Sequence, residues 1–318
     1  MKELTVARKT KLAQKVLKYA RAAKSANTLR AYSAAMDDFR EFCQDHGANP
    51  LPASPETVIA YLVWTDEQKV STIQIKLAAI AEAHRVADLP NPTTDEHVKT
   101  VMAGIRRELG TAVEKKEPIT RQHLIGMTAT LPADLRGKRD RAILLVGFAG
   151  AFRRSELVDL RVEDLAWTKD AVMATVRRSK GDQTGKGLIK VIPAMNDKAL
   201  CPVSALRSWL TASQITSGPI FRKVDRWEHV SKTALAAQCV ALIVKESARR
   251  CQLNPNLFSA HSLRSGFVTS AFAADAPEWA IQKQTGHKNL TVLRDYNQDK
   301  GKGASRAAKA ALGGERNG

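Results

Sequence analysis

The chain has 318 residues, 44% hydrophobic and 26% charged, the balance of a folded protein long enough for two domains of ordinary size. Lys and Arg number 50 against 32 Asp and Glu, a net charge of +18, which points to a polyanionic partner, nucleic acid ahead of a membrane. The longest apolar run, residues 142–152, is too short to span a bilayer. The basic start lacks the apolar stretch of a secretory signal, and no C-x-x-C pair occurs among the four cysteines. These features predict a reduced, cytoplasmic protein associated with the nucleoid, without a zinc site or a disulfide framework.

Residues 1–24 carry eight Lys or Arg and one acidic residue and read as a basic arm. "ANTLRAYSAAMDDFREFC" then sets Leu29, Tyr32, Met36, Phe39 and Cys43 at three- and four-residue steps, the stripe of an amphipathic helix. "SPETVIAYLVW" places Ser54 as N-cap and Pro55 at the first helical position. "STIQIKLAAIAEAHRVA" follows with Ser71 as its cap. "NPTTDEHVKTVMAGIRREL" starts at a Thr cap, has an acidic first turn and aligns Val98, Val101, Met102 and Ile105. Residues 25–110 therefore predict an all-α domain of four helices. Residues 111–120 combine a charge cluster with a proline and read as a linker.

In the second domain, 121–318, "RDRAILLVGFAGAFRRSELVDL" is apolar nearly all round at its start and so a buried helix. "AVMATVRRSK" and "GLIKVIPA" are β-branched runs joined by "GDQTGK", a hairpin with a flexible tip. Helical patterns dominate from Val203 onward. The predicted fold class is mainly α with a small antiparallel sheet.

Chemistry concentrates in this second domain. Arg153 and Glu156 stand one turn apart after the buried helix, Lys180 sits on the hairpin edge with Lys186 across the loop, and His261-x-x-Arg264 shares one helix face. His287 and Tyr296 follow in a basic setting. Guanidinium forks match phosphate oxygens, and two of them neutralise a phosphodiester as charge builds during in-line attack. A tyrosine hydroxyl becomes a nucleophile when a positive field and a base activate it. Each motif has a bland reading: H-x-x-R arises by chance in a chain of this composition, and a lone tyrosine is more often packing. No D-x-D, H-E-x-x-H or G-x-x-x-x-G-K-[ST] occurs, so neither metal nor nucleotide chemistry is indicated.

Taken in order, these residues resemble the tyrosine recombinase (phage integrase) family. "AFRRSELVDLRVEDL" resembles its first arginine block, "SAHSLRSGFVTS" its H-x-x-R box and "TGHKNLTVLRDYNQD" its last histidine and nucleophile box. Residues 71–108 resemble the core-binding domain of Cre-like members. The resemblance implies an all-α core-binding domain followed by a catalytic domain that closes with it round duplex DNA. It implies that Arg153 and Arg264 hold the scissile phosphate, with Glu156 bracing Arg153. Lys180, or Lys186 in its place, would be the general acid. His261 would help activate Tyr296, His287 would donate a hydrogen bond to the phosphate, and Tyr296 would form a 3′-phosphotyrosyl link. It further implies double-stranded DNA as partner, a homotetramer, a Holliday junction and no metal or cofactor requirement. Arg30, Lys76 and Arg106 are its candidate DNA contacts. The "SRAAKAALGG" tail would dock on a neighbouring protomer. A type IB topoisomerase, which uses the same catalytic set, and a non-cutting helical DNA-binding protein are the alternatives.

Overall fold

The computed structural model describes residues 24–110, 115–177 and 187–294. The chain divides into two compact units between residues 114 and 115.

The first unit holds α1 (Ala26–Asp45), α2 (Pro55–Trp64), α3 (Val70–Val86) and α4 (Glu96–Leu109), with a 3₁₀ turn (Pro92–Thr94) before α4. Polar caps set two of the starts: Ser25 and Ser54 each accept a hydrogen bond from the amide three residues on. Phe39, Cys43, Val58, Tyr61, Leu62, Ile73 and Ile80 form its core. Two expected caps are corrected. α3 begins at Val70 after Lys69, so Ser71 lies inside the first turn. α4 is capped by Asp95, because the preceding threonines are taken up in the 3₁₀ turn. Leu29, expected on the buried stripe, is exposed near the start of α1.

The second unit begins with α5 (Arg121–Ala129) and α6 (Leu135–Ala149). Seven of the eight buried positions of α6 are Gly or aliphatic, or lie in the run Ala142–Gly147, so this helix forms the unit's axis. α7 (Arg154–Asp159) and a 3₁₀ turn lead into β1 (Leu165–Trp167), β2 (Ala171–Val176) and β3 (Leu188–Pro193). They form an antiparallel sheet in the order β1-β2-β3, with Met173 opposite Val191. Val172, Ala174 and Val176 point inward from β2 by the strand's two-residue alternation. α8 (Pro202–Ser213) packs against α6. A second hairpin, β4 (Arg222–Val224) with β5 (Val230–Ala234), was not legible, because its strands are short and β5 is mostly exposed. α9 (Ala237–Arg250), α10 (His261–Ala273), α11 (Glu278–Thr285) and α12 (Leu290–Arg294) complete the described residues. Val268, Ile281 and Leu293 form a small separate cluster that ties α10, α11 and α12 together.

Candidate active site

The site grows from the turn that ends α6. Gly150 caps that helix, and Ala151 takes a left-handed conformation with φ 46°. The turn places Arg153 as the N-cap of α7 and aims the Ala151 carbonyl into the interior. R-x-x-E here makes the back-reaching half of a capping box, with Glu156 at the third helical position. Glu156 Oε2 accepts from the Arg153 amide at 3.0 Å, and Oε1 accepts from Arg153 Nη1 at 2.5 Å. Glu156 is 3% exposed, so its charge must be matched on the spot. Burial alone would raise its carboxyl pKa; Lys190 and the Arg153 amide and guanidinium outweigh burial and lower it. The neighbouring Arg154 is exposed.

α10 brings the second arginine. Arg264, one turn into the helix, is 1% exposed. Its Nη1 donates to the Ala151 carbonyl at 2.8 Å, so the backbone turn beside Arg153 also holds Arg264. Its Nη2 meets His287 Nε2 at 3.1 Å. His287 arrives because Gly286, with φ 68°, reverses the chain at the end of α11. Its Nδ1 lies 2.8 Å from Thr285 Oγ1, and its own carbonyl accepts from Gln282 Nε2 at 3.0 Å. His261 starts α10 with its side chain at the surface. Desolvation among its neighbours, then the Arg264 and Arg153 guanidiniums, lower its pKa. The same causes, in the same order, push His287 down to about 4. Both imidazoles are therefore neutral at neutral pH, beside two guanidiniums that are always charged. The arrangement presents a cationic floor with neutral imidazoles able to give or take protons, and this suits an anionic, phosphate-like group.

Arg153, Glu156, His261, Arg264 and His287 are thus brought together from three segments. Lys180, Lys186 and Tyr296 lie outside the described residues. The site also contains a residue that sequence reasoning missed. Lys190 of β3 is fully buried, and its Nζ donates to the carbonyls of Gly150 (2.9 Å), Ala151 (3.0 Å) and Gln284 (3.0 Å), with Glu156 Oε2 at 3.6 Å. A signal existed: in "LIKVIP" the strand alternation places Lys190 on the inward face between Leu188 and Ile192.

Among the candidate DNA contacts, Arg30 and Arg106 are exposed. Lys76 is a correction. It is 7% exposed, its ammonium is 2.6 Å from Asp38 Oδ2, and it lies over the rings of Tyr61 and Trp64. Tyr61 donates to the same carboxylate. Burial would raise the Asp38 pKa; the Lys76 and Tyr61 hydrogen bonds outweigh it and lower it. Lys76 is therefore committed inside the first unit, because Asp38 of α1 captures it from α3. Among the described residues no His, Cys, Asp and Glu cluster forms a metal site, and no helix is long and apolar enough to cross a membrane. Among the four cysteines, Cys43 and Cys201 are buried and Cys239 and Cys251 half-buried.

Residues 119–302 match the phage integrase family. The chain is 41% identical to an integrase/recombinase xerD homolog of Selenomonas ruminantium over 86% of this chain and 82% of that protein. It is 27% identical to a tyrosine recombinase, slr0733, of Synechocystis over 87% of this chain and 88% of that one. The fold is shared with a Tn1549 transposon integrase in complex with transposon right end DNA (TM-score 0.62, 16% identity, 95% of this chain and 98% of that one). It is also shared with a lambda integrase dimer bound to a core site (TM-score 0.59, 18% identity, 94% and 97%).

Proposed function

Because the chain belongs to the phage integrase family and is a tyrosine-type site-specific recombinase, we propose that it cleaves and rejoins double-stranded DNA through a 3′-phosphotyrosyl intermediate. Arg153 and Arg264 neutralise the non-bridging oxygens of the scissile phosphate. The Tyr296 phenol attacks phosphorus and passes its proton to His261, whose lowered pKa keeps the ring neutral and ready to accept it. As the P–O5′ bond breaks, Lys180 donates a proton to the leaving 5′ oxygen, with Lys186 the neighbour that would take over. His287 hydrogen-bonds the phosphate and Glu156 holds Arg153. The roles of Lys180, Lys186 and Tyr296 rest on their order in the sequence. The first unit serves as the core-binding domain, with Arg30 and Arg106 toward DNA. A homotetramer joins two sites through a Holliday junction, the 305–314 tail docks on a neighbouring protomer, and the enzyme works in the cytoplasm at the nucleoid.

The observation that carries this reading is the shared anchor. Two arginines 111 positions apart converge on one backbone turn, Arg264 through the Ala151 carbonyl and Arg153, two residues beyond Ala151, through Glu156. A histidine that only structure brings near completes the set. The test begins with DNA recovered covalently attached to the protein from cells and sequenced. A nicked suicide duplex of that sequence should then trap the parent as an adduct. Tyr296→Phe should bind the duplex like the parent and form none. A type IB topoisomerase would instead relax any supercoiled plasmid. A non-cutting DNA-binding protein would yield no adduct from the parent.

A further inference from the structure

A buried ammonium is an expensive group to place at the centre of a fold, and an apolar side chain of the same volume often does as well for stability. Lys190 has no exposed surface. Its three N–H donors meet three carbonyls at 2.9–3.0 Å, so every proton is used. Those carbonyls end helices: Gly150 and Ala151 follow the last turn of α6, and Gln284 lies in the last turn of α11. Helix C-termini carry unpaired carbonyls and partial negative charge, which a cation satisfies. The Phe152 ring, 4.9 Å from Nζ at its centroid, closes the remaining side. Desolvation pushes the Lys190 pKa down to about 7, and the Arg264 and Arg153 charges add to the fall while Glu156 opposes it.

Two partners of this ammonium, the Ala151 carbonyl and Glu156, also hold an arginine of the active site. The Ala151 carbonyl accepts from Lys190 and from Arg264 (2.8 Å). Glu156, 3.6 Å from Nζ, grips Arg153. Gln284 lies three residues before His287, and its side chain repeats the stitch. Its Nε2 donates to the Ala149 carbonyl at 2.9 Å and the Val191 carbonyl at 2.7 Å, and its Oε1 accepts from the Val191 amide at 3.2 Å. We propose that Lys190 is a positioning residue for strand cleavage: it gathers the ends of α6 and α11 and the Glu156 carboxylate into one knot that fixes Arg153, Arg264 and His287 where the scissile phosphate arrives. Lys190 is enclosed behind these groups and touches no substrate, so it is separate from the proton donor assigned to Lys180. The inference rests on the recombinase reading.

The test uses the full chain with Lys190→Met, Lys190→Met/Glu156→Gln and Gln284→Leu, on the nicked duplex recovered above. Lys190→Met should keep DNA affinity within about three-fold and slow single-turnover cleavage on the order of 100-fold, the loss that a misplacement of about 1 Å brings. A 5′-bridging phosphorothiolate substrate, whose thiolate leaves without a proton, should not restore the rate. The double variant removes the buried carboxylate that has lost its ammonium and should recover thermal stability without recovering cleavage. Amide hydrogen exchange should quicken at Phe152 and Gly286 and stay unchanged in the middle of α6. Gln284→Leu, which keeps both charges, should slow cleavage by about ten-fold and keeps the proposal testable if Lys190→Met does not fold. Parent-like cleavage by a folded Lys190→Met, or by Gln284→Leu where Lys190→Met does not fold, overturns the proposal. So does cleavage that returns with stability in the double variant, or rescue by the thiolate substrate. If the parent itself fails to cleave, the recombinase reading falls. The exchange experiment then judges Lys190 alone, and unchanged exchange at Phe152 and Gly286 overturns it.

Discussion

Arginine has only donors, so the contact between Arg264 Nη2 and His287 Nε2 fixes the histidine's tautomer. Nε2 accepts, and the proton sits on Nδ1, which donates to Thr285 Oγ1; that hydroxyl passes its own proton toward the Ile281 carbonyl at 2.8 Å. The hydrogen bond proposed from His287 to phosphate therefore requires a proton on Nε2 when DNA binds. An arriving phosphate promotes this, because it draws the Arg264 N–H away and its negative charge raises the ring's pKa. In the free protein the His287 pKa falls from 6.5 to about 4. Between those values the unfolded chain binds a proton that the folded ring refuses, so stability is lost as pH falls from 6.5 toward 4. The ring is half-exposed, and solvent screening leaves about 1 kcal/mol of the effect. Thermal melts of the parent and His287→Gln at pH 7 and 4.5 should show the parent losing that much more than the variant. Equal losses would mean that His287 titrates as a free imidazole.

At the scale of elements, the local signals were legible and the tertiary ones were not. Ser54, Pro55 and the stripe ending in Phe39 and Cys43 announce helices through contacts within one or two turns. Val172, Ala174 and Val176 announce a strand by alternation. Lys76 reads as polar helix surface in the sequence because its partner, Asp38, lies on another helix. Lys190 escaped notice for the same reason, since its acceptors come from α6 and α11. Arg153, Arg264 and His287 were legible as an ordered set, whereas the Ala151 carbonyl that anchors Arg264 is invisible in side-chain motifs. α10 shows how closely backbone packing constrains the site. Ile119 donates to the Ser262 carbonyl at 2.9 Å, and a Cβ at Gly266 would lie 2.0 Å from the Ile119 oxygen. That obstacle is backbone and cannot rotate away. Gly266→Ala should lower stability by about 1–3 kcal/mol or more and displace the helix bearing His261 and Arg264. Gly104 in α4 has nothing within 4 Å of the same position, so Gly104→Ala should stabilise by about 0.5–1 kcal/mol. Paired melts check both, and a harmless Gly266→Ala would refute the close approach.

For the whole molecule, the net charge of +18 is the property that acts before any contact forms. A duplex carries a condensed counterion layer, and each phosphate neutralised by the protein releases part of it, so log K falls by about 0.9 per unit log salt for each contact. A recombinase that holds duplex DNA should make at least about six contacts, a loss of roughly 1,000-fold in affinity between 50 and 200 mM salt. The structure sharpens this expectation residue by residue. Arg30 and Arg106 are exposed, and Arg30 is tethered to Asn27 one turn back (2.6 Å). Replacing either with Ala should reduce the salt slope by about 1 and weaken binding across all sequences. Lys76 carries the same formal charge, but it sits between Asp38 and two aromatic rings. Lys76→Met should leave the slope unchanged and lower the melting temperature instead, because Asp38 loses its cation inside the first unit. Binding isotherms at four or five salt concentrations, set beside melting curves, separate the two behaviours. A Lys76→Met slope reduced as far as that of Arg30→Ala would show that Lys76 turns outward to meet the phosphates. An unchanged slope with a lower melt would establish that three cations alike in sequence divide into two that face DNA and one that holds a helix pair.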